Sequence, residues 1–473
     1  MISRLRVWMN RFLDVDRPDR LKVLLLALIY GLIIGSYTIA RELKNAVFVN
    51  IVGKNHIPPA RWLSMIFLIP AILGYAALVD RLKRYQLLCV CAIFFGLSCL
   101  VFTFFIGQPS IGLLNTETSI YRVFGWFFYF FVEAFSPFLV SVMWAFSNSI
   151  TDPHEAKSGY PLMVAGSKIG GIICSGLAIL LCKNIAQRTV QARAADVMNY
   201  QIMLGVASLL LLCVPFVVLF LMKKVPQRHL HGYEATYEVE KKHQGATEEK
   251  ETAVSLFAGL VLLIRYPYVC GIFGMVFFYE VTDAILSFIR IGIAHETATT
   301  LSQEAIFLLS TAFQAHLVGL FFSIFGTKTL LKFLGERICL LLIPLLIGSL
   351  ILMYTIYPTS GVFMVVIALL KAVHYAFSMP VRESLYIPTV NEIRFKSKSW
   401  IDAFGGKVAK SSGSVFNFVL VTWFSDHTSS FVYTLAHTFI FAIIIGLWFI
   451  TAHLLGKKFE NTVKNNQVIG SEQ

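Results

Sequence analysis

The chain has 473 residues, 57% of them hydrophobic and only 14% charged, with a mean hydropathy of +0.71. About a quarter of a soluble protein's residues are charged, so this composition excludes an ordinary soluble fold and points to a polytopic membrane protein. The net charge of +13 is spread over loops between apolar windows. No basic stripe with interleaved aromatics lies in a soluble domain, so nucleic acid is not an expected partner.

A helix needs about 20 apolar residues to cross the hydrocarbon core, where backbone groups find partners only within the segment. Twelve such windows start near Leu21, Trp62, Gln86, Tyr121, Ser158, Gln201, Tyr268, Ala305, Ile338, Gly361, Ile401 and Phe431. The pattern predicts an all-α protein of twelve transmembrane helices in two six-helix halves. The first half is residues 1–222. A polar stretch, 223–253, reads as a cytoplasmic linker, and 254–473 forms the second half. The stretch SLFAGLVLLIRYP after the linker reads as an amphipathic surface helix.

Orientation follows from Lys and Arg in short loops. The N-terminal segment, DRLKRY, TKTLLKFLGER, IRFKSKS and the tail GKKF are basic, whereas YPTSG and SDHTSS carry neither residue. The loop at 183–200 is basic against this trend. Both termini are expected in the cytoplasm, and the N-terminal segment lacks the features of a cleaved signal. The eight cysteines fall in or near apolar windows without metal-ligand spacing and read as small buried hydrophobes. No cofactor and no metal is expected.

The halves echo each other. LVDRLKRYQLL after window two matches LLKFLGERICLL after window eight, and EAKSGYPLMVAGSKIGG loosely matches FKSKSWIDAFGGKVAKSSG. Two related bundles with a substrate site between them near the midplane is the major-facilitator-like arrangement.

Charges inside the windows carry the functional signal, because each costs roughly 2.5–3.5 kcal/mol at a helix centre. Taken singly, each has two readings, a structural ion pair or a substrate contact. Window one ends in the cluster RELKNAV, with Arg41 and Lys44 on one face. Window four holds Glu133 as a lone carboxyl in an aromatic run, with Pro137 one turn on. Window five holds Lys168 in a small-residue run suited to close helix approach. Window seven places Glu280, Asp283, Ser287 and Arg290 on one face. Window ten does the same with Lys371, His374, Ser378 and Arg382, and window eleven with Lys407 and Lys410. Lysines a turn apart without an acid repel each other unless an anion lies near. The bases outnumber the acids, which suits a polyanion: Arg grips phosphate bidentately and Lys supplies a point charge.

The sequence resembles the ATP/ADP translocases, the nucleotide transporters of obligate intracellular bacteria and plastids. The resemblance covers most of the chain. It is most specific at EAFSPFLVSVMWAFSNSITDPHEAKSGYPL (133–162), with LKNAV, EVT, RESLYIP, KSKSWIDAF and AKSSG elsewhere. It implies that Lys44, Glu133, Glu280 and Lys410 are needed for transport. It also implies a carrier in the bacterial inner membrane, acting as a monomer on a nucleotide or related phosphorylated anion, by exchange or proton-coupled import. Asn45 and Ala46 stand where the family has Asp-Thr, Asp283 and Ala284 where it has Trp-Lys, and Ser412 where a glycine is usual. Lys168 is also an addition to the family's pattern. The expected site is therefore Lys44, Glu133, Lys168, Glu280, Asp283, Arg290, Lys371, Arg382, Lys407 and Lys410, with the particular phosphorylated substrate left open. Carriage of a different organic anion, or a membrane enzyme using a phosphorylated donor, are the alternatives; no phosphate loop or acidic metal motif supports the enzyme.

Overall fold

A computed structural model describes residues 17–79, 81–151, 153–186, 192–226, 255–325, 327–390, 393, 397–423, 431–465 and 467–470. Each apolar window is occupied by a helix. The helices are α1 (Arg17–Ile51), α2 (Ile57–Val79), α3 (Arg84–Ile106), α4 (Val123–Ile150), α5 (Pro153–Ala186) and α6 (Ala192–Lys224). After the short α7 (Ser255–Arg265) come α8 (Pro267–Thr297), α9 (Leu301–Phe325) and α10 (Thr327–Ile356). The last three are α11, assembled from Ser360–Val373, His374–Ser378 and Met379–Leu385; α12, from Lys398–Trp400, Ile401–Gly405 and Gly406–Trp423; and α13 (Phe431–Lys464). Among the described residues, nine helices are long and apolar enough to cross a membrane, and no strand is formed. The chain is a multi-pass, all-helical membrane protein. The expected linker lies almost wholly outside the described residues.

Among the described residues, a five-residue π turn lies at Ser136–Val140 in α4, at His374–Ser378 in α11 and at Ile401–Gly405 in α12. The first two have a chemical cause. Pro137 has no N–H to give to the Glu133 carbonyl, and Pro380 has none for the carbonyl four residues before it, so the ladder slips by one residue. The Met379 N–H closes the second turn on the His374 carbonyl, and the Gly406 N–H closes the third on that of Ile401.

The described helices sort into two compact units. Unit 1 comprises the described residues of Met1–Lys54, Ile66–Gly245 and Ala294–Leu320; unit 2 comprises those of Asn55–Met65, Ala246–Ile293 and Phe321–Gln473. Unit 1 is built on α1, which packs along α5, α6 and α4, while α3 packs on α6. The small-residue run of α5 does what the sequence expects. A Cβ added at Gly170 would stand 2.1 Å from the Gly31 carbonyl oxygen of α1, so the backbones touch. The core of this unit gathers Leu26, Ile29, Ile33, Leu88, Phe95, Phe135, Phe146 and Leu211. In unit 2, α10 packs on α13 and α11. The core there gathers Ile272, Tyr279, Ile285, Ile343, Phe363, Leu370 and Trp448. At the matching seam, a Cβ added at Gly413 of α12 would stand 2.8 Å from the Val281 carbonyl oxygen of α8.

α7 buries Leu262 and Leu263 and exposes Val261 and Ile264, the two-faced character its sequence predicts. The cysteines are free: Cys91, Cys99, Cys174, Cys182 and Cys339 are buried and Cys89 is half-buried. Cys213 and Cys270 are exposed on the protein's apolar exterior, where the sequence reading expected burial.

Candidate functional site

In unit 1, α1 runs straight through the charged cluster to Ile51, so RELKN is part of the helix and not a loop. Arg41 donates to its neighbour Glu42 from Nε at 3.0 Å and from its terminal nitrogen at 2.7 Å; Glu42 is buried. The Arg41 guanidinium also sits over the Tyr37 ring at 5.6 Å. One turn on, Lys44 is buried against α4, and its ammonium pairs with Glu133. The ammonium lies over the Tyr129 ring at 4.3 Å. Glu133, alone within its own window, is thus ion-paired across helices; a reading along one window cannot register a partner 89 residues away. The buried ammonium is tolerated because a carboxylate and an aromatic face replace its lost water. Lys168 of α5 is half-buried, its side chain 3.4 Å from the Cβ position of Gly319.

Unit 2 holds further pairs, four of them around α8, α11 and α12. Lys371 of α11 donates to Asp283 of α8 at 2.5 Å, with its ammonium 5.8 Å from the Tyr279 ring centroid. Lys410 of α12 lies 3.3 Å from Glu280 of α8, so the lysine pair of α12 is not acid-free. The missing acid comes from another helix. Arg382 of α11 lies 3.2 Å from Asp402 in the π turn of α12, and Lys398 binds Glu383 at 2.5 Å. Arg290 is buried two turns beyond Asp283, and Lys407 is half-buried one turn before Lys410. His374 stacks on Tyr279, ring centroids 3.6 Å apart and 8° from parallel, which gives it a packing role; its Nδ1 is buried without a hydrogen bond.

Several polar residues at these sites carry no signal in the sequence pattern. Arg61 and Trp62, at the edge of window two, resemble ordinary flanks. In unit 2 the Arg61 guanidinium donates to the Ala284 carbonyl at 3.1 Å and Ser414 Oγ at 3.3 Å, and the Trp62 indole donates to the Ser411 carbonyl at 3.2 Å. In unit 1, His316 hydrogen-bonds Thr38 at 2.9 Å. Spacing within single windows cannot reveal such contacts between helices. Among the described residues, no group of three or more His, Cys, Asp or Glu side chains is arranged to hold a metal ion.

Charges within the membrane helices are thus matched across helices at Lys44–Glu133, Lys371–Asp283, Lys410–Glu280 and Arg382–Asp402. The model of the TLC ATP/ADP transporter family matches residues 2–333 and 287–459. The chain belongs to this family. It is similar to ADP,ATP carrier protein 3 of Rickettsia bellii, 22% identical over 519 residues, covering 95% of this chain and 97% of that protein. Solved structures with a similar fold include a D-xylose–proton symporter (TM-score 0.59, 15% identity, 92% of this chain and 96% of that one). Another is FucP, a Major Facilitator Superfamily transporter in the outward conformation (TM-score 0.52, 14% identity, 94% and 99%). The fold of this TLC transporter is therefore major-facilitator-like, and the enzyme reading falls away. The four residues singled out by the family resemblance, Lys44, Glu133, Glu280 and Lys410, form two ion pairs, one in each unit.

Proposed function

We propose that this TLC transporter carries a nucleotide or a closely related phosphorylated anion across the bacterial inner membrane by alternating access, in exchange or proton-coupled import. The observation that carries the reading is the pairing, in each unit, of family-motif lysines with family-motif glutamates. A carrier of polyanions needs bases that can face phosphate, and the same bases must be neutralised when no substrate is bound. A pair such as Lys410–Glu280 answers both needs. The carboxylate holds the ammonium in the empty protein, and phosphate oxygens take its place when substrate enters. Lys371, Arg382, Lys407, Arg290 and Lys168 add positive charge for the remaining phosphate oxygens, and Asp283 holds Lys371 in the meantime. The departures at Asn45, Ala46, Asp283 and Ala284 fall beside these pairs, which directs substrate choice to the same places.

In this reading the protein works as a monomer with both termini in the cytoplasm. Exchange of labelled nucleotides across proteoliposomes tests the function. Saturable counterflow of one nucleotide class is the expected result. Absence of both uptake and counterflow across a panel of nucleoside mono-, di- and triphosphates would sink the nucleotide assignment.

A further inference from the structure

A large cavity opens in unit 2, apart from the ion pairs, where α7 ends, α8 begins and α13 ends. It measures about 1220 Å³, more than the roughly 300–1,000 Å³ of ordinary small-molecule pockets. Its shape follows from the seam between two antiparallel helices. A Cβ added at Gly271 of α8 would stand 3.0 Å from Leu455 of α13, and one at Gly274 the same distance from Thr451. The two glycines share a face and leave the cavity floor without side chains. This register puts Lys458 level with the start of α8, at the same end as Arg265, and both line the cavity. Phe273, Phe277 and Phe278 line it about two to three turns deeper. Hydrogen bonds fix the walls. Tyr268 donates its hydroxyl to the Leu385 carbonyl at 2.7 Å, tying the start of α8 to α11. Gln467 N–H donates to the Thr462 carbonyl at 3.0 Å, and Ile469 N–H to that of Pro388 at 2.8 Å, so the tail closes one side.

The cavity thus has a basic mouth and an aromatic inner end. Among the described residues no acidic side chain lines it. Glu460, further along α13, is held by Arg337 at 2.7 Å and Lys464 at 2.8 Å. The surface around the cavity is apolar. Leu454 is 61% exposed on α13, which with α8 is long and apolar enough to cross a membrane, so the cavity opens among acyl chains. These features narrow the occupant. A small hydrophilic anion would meet the bases and leave the ring-lined end unfilled. An uncharged acyl chain would fill that end and make no use of the bases. The chain's own stretch GATEEKET (245–252) is acidic but has no large apolar side chain. A molecule that joins an anionic head to apolar tails matches both ends, and basic pockets between spanning helices suit anionic lipid headgroups.

We infer that this cavity binds one anionic phospholipid, its headgroup on Arg265 and Lys458 and an acyl chain along the glycine floor and the three phenyl rings. The site shares no residue with the lysine–carboxylate pairs, so its occupancy can be read without any transport substrate. The experiment is native mass spectrometry of the purified full-length protein in detergent, supplied with phosphatidylglycerol or with phosphatidylcholine of the same acyl chains. One phosphatidylglycerol per chain is the expected result, held at least about tenfold more tightly than phosphatidylcholine, as two bases near a membrane surface provide. The double variant Arg265→Gln, Lys458→Gln should lose that preference. Cys270, exposed and lining the cavity, gives a second readout that needs no variant. Phosphatidylglycerol should slow its alkylation by N-ethylmaleimide, followed peptide by peptide, while the exposed Cys213 of α6 keeps its rate. If the double variant does not fold, this protection decides the matter. Equal affinity for the two lipids, a preference that survives in the double variant, an unchanged rate at Cys270, or equal slowing at Cys270 and Cys213 would each overturn the assignment. Protection of Cys270 by inorganic phosphate or a nucleotide as strong as that by the lipid would overturn it as well.

Discussion

In unit 1, Lys44 on α1 pairs with Glu133 on α4, the first and fourth spanning helices of the first half of the chain; in unit 2, Asp283 on α8 pairs with Lys371 on α11, the first and fourth of the second half, so the signs are reversed. The geometry is otherwise repeated. The partners are 89 and 88 residues apart. Each lysine lies over a tyrosine, Tyr129 or Tyr279. The fourth-helix partner stands three residues before a π turn in both units, beginning at Ser136 and His374. In both, the first-helix member is the deeper one. Lys44 is 6% exposed against 34% for Glu133, and Asp283 is 11% exposed against 24% for Lys371. The repeat therefore preserves the position and burial of a pair while leaving its polarity free. What one unit fixes is a neutral couple between two helices; which helix carries the base is a separate variable, available for choosing a substrate.

The largest expected effect comes from breaking this rule at its buried end. Removing one member of a buried pair leaves the other charge uncompensated, at a cost of about 3–5 kcal/mol. The deeper residue sets that cost. Glu133→Ala, which strands Lys44, should destabilise more than Lys44→Ala, which strands the better-solvated Glu133. In unit 2 the same logic makes Lys371→Ala worse than Asp283→Ala. Thermal or denaturant unfolding of the four purified variants measures the order. Equal losses within each pair would mean that burial does not govern the stranded charge.

The next effect sharpens the comparison. If only neutrality of the couple matters for folding, the double variant Lys44→Glu with Glu133→Lys gives unit 1 the polarity of unit 2. It should recover most of the stability lost by either single change. A double-mutant cycle should return a coupling of about 2–3 kcal/mol, at the upper end for contacting groups. Exchange of the transported anion should stay lost, because the base now projects from the wrong helix.

A third prediction compares the seams. A Cβ at Gly170 meets backbone 2.1 Å away, whereas one at Gly413 meets it at 2.8 Å. Overpacking costs typically about 1–3 kcal/mol, and Gly170→Ala should lie at or above the top of that range with Gly413→Ala below it. Unfolding midpoints of the two variants give the ranking, and a larger loss at Gly413 would contradict the tighter contact in unit 1.

The difference between what was and was not legible in the sequence follows from the same pairs. Helix positions were legible because hydropathy is a local property: each of the twelve windows holds a helix, and nine helices among the described residues are long and apolar enough to cross a membrane. The glycine run around Gly170 was legible because small residues at helical spacing have one main use in a bilayer. The charges themselves were legible as anomalies, and the resemblance to a transporter family selected four of them. Their partners were not legible. Glu133 reads as solitary and Lys407 and Lys410 as acid-free because the compensating residue lies on another helix, and periodicity along one helix says nothing about its neighbours. Arg61 and Trp62 were missed for a related reason, since at the edge of a window an Arg-Trp pair looks like a membrane-interface flank. The π turns were only half visible: Pro137 and Pro380 announce a disturbance, but not that the helix absorbs it by a one-residue slip.

The smallest expected effect on stability is also the one that best separates folding from transport. Lys410 lies 3.3 Å from Glu280, but its side chain is 53% exposed, against 6% for Lys44. Glu280 is 18% exposed, but the Lys410 ammonium beside it already lies in water, so water takes its place when it is removed; the pair contributes about 0–1 kcal/mol, and Lys410→Ala should give an unfolding midpoint close to that of the wild type. The same exposure is what a phosphate-binding base requires, because an ammonium already reached by water can trade Glu280 for a phosphate oxygen with little desolvation. Exchange by Lys410→Ala in proteoliposomes should therefore fall by at least about tenfold, the loss of one charge-assisted hydrogen bond, while Lys410→Arg retains part of it. Wild-type exchange by Lys410→Ala would remove Lys410 from the substrate path. A collapse of stability would show instead that the exposed pair of unit 2 carries the structural load that Lys44–Glu133 carries in unit 1.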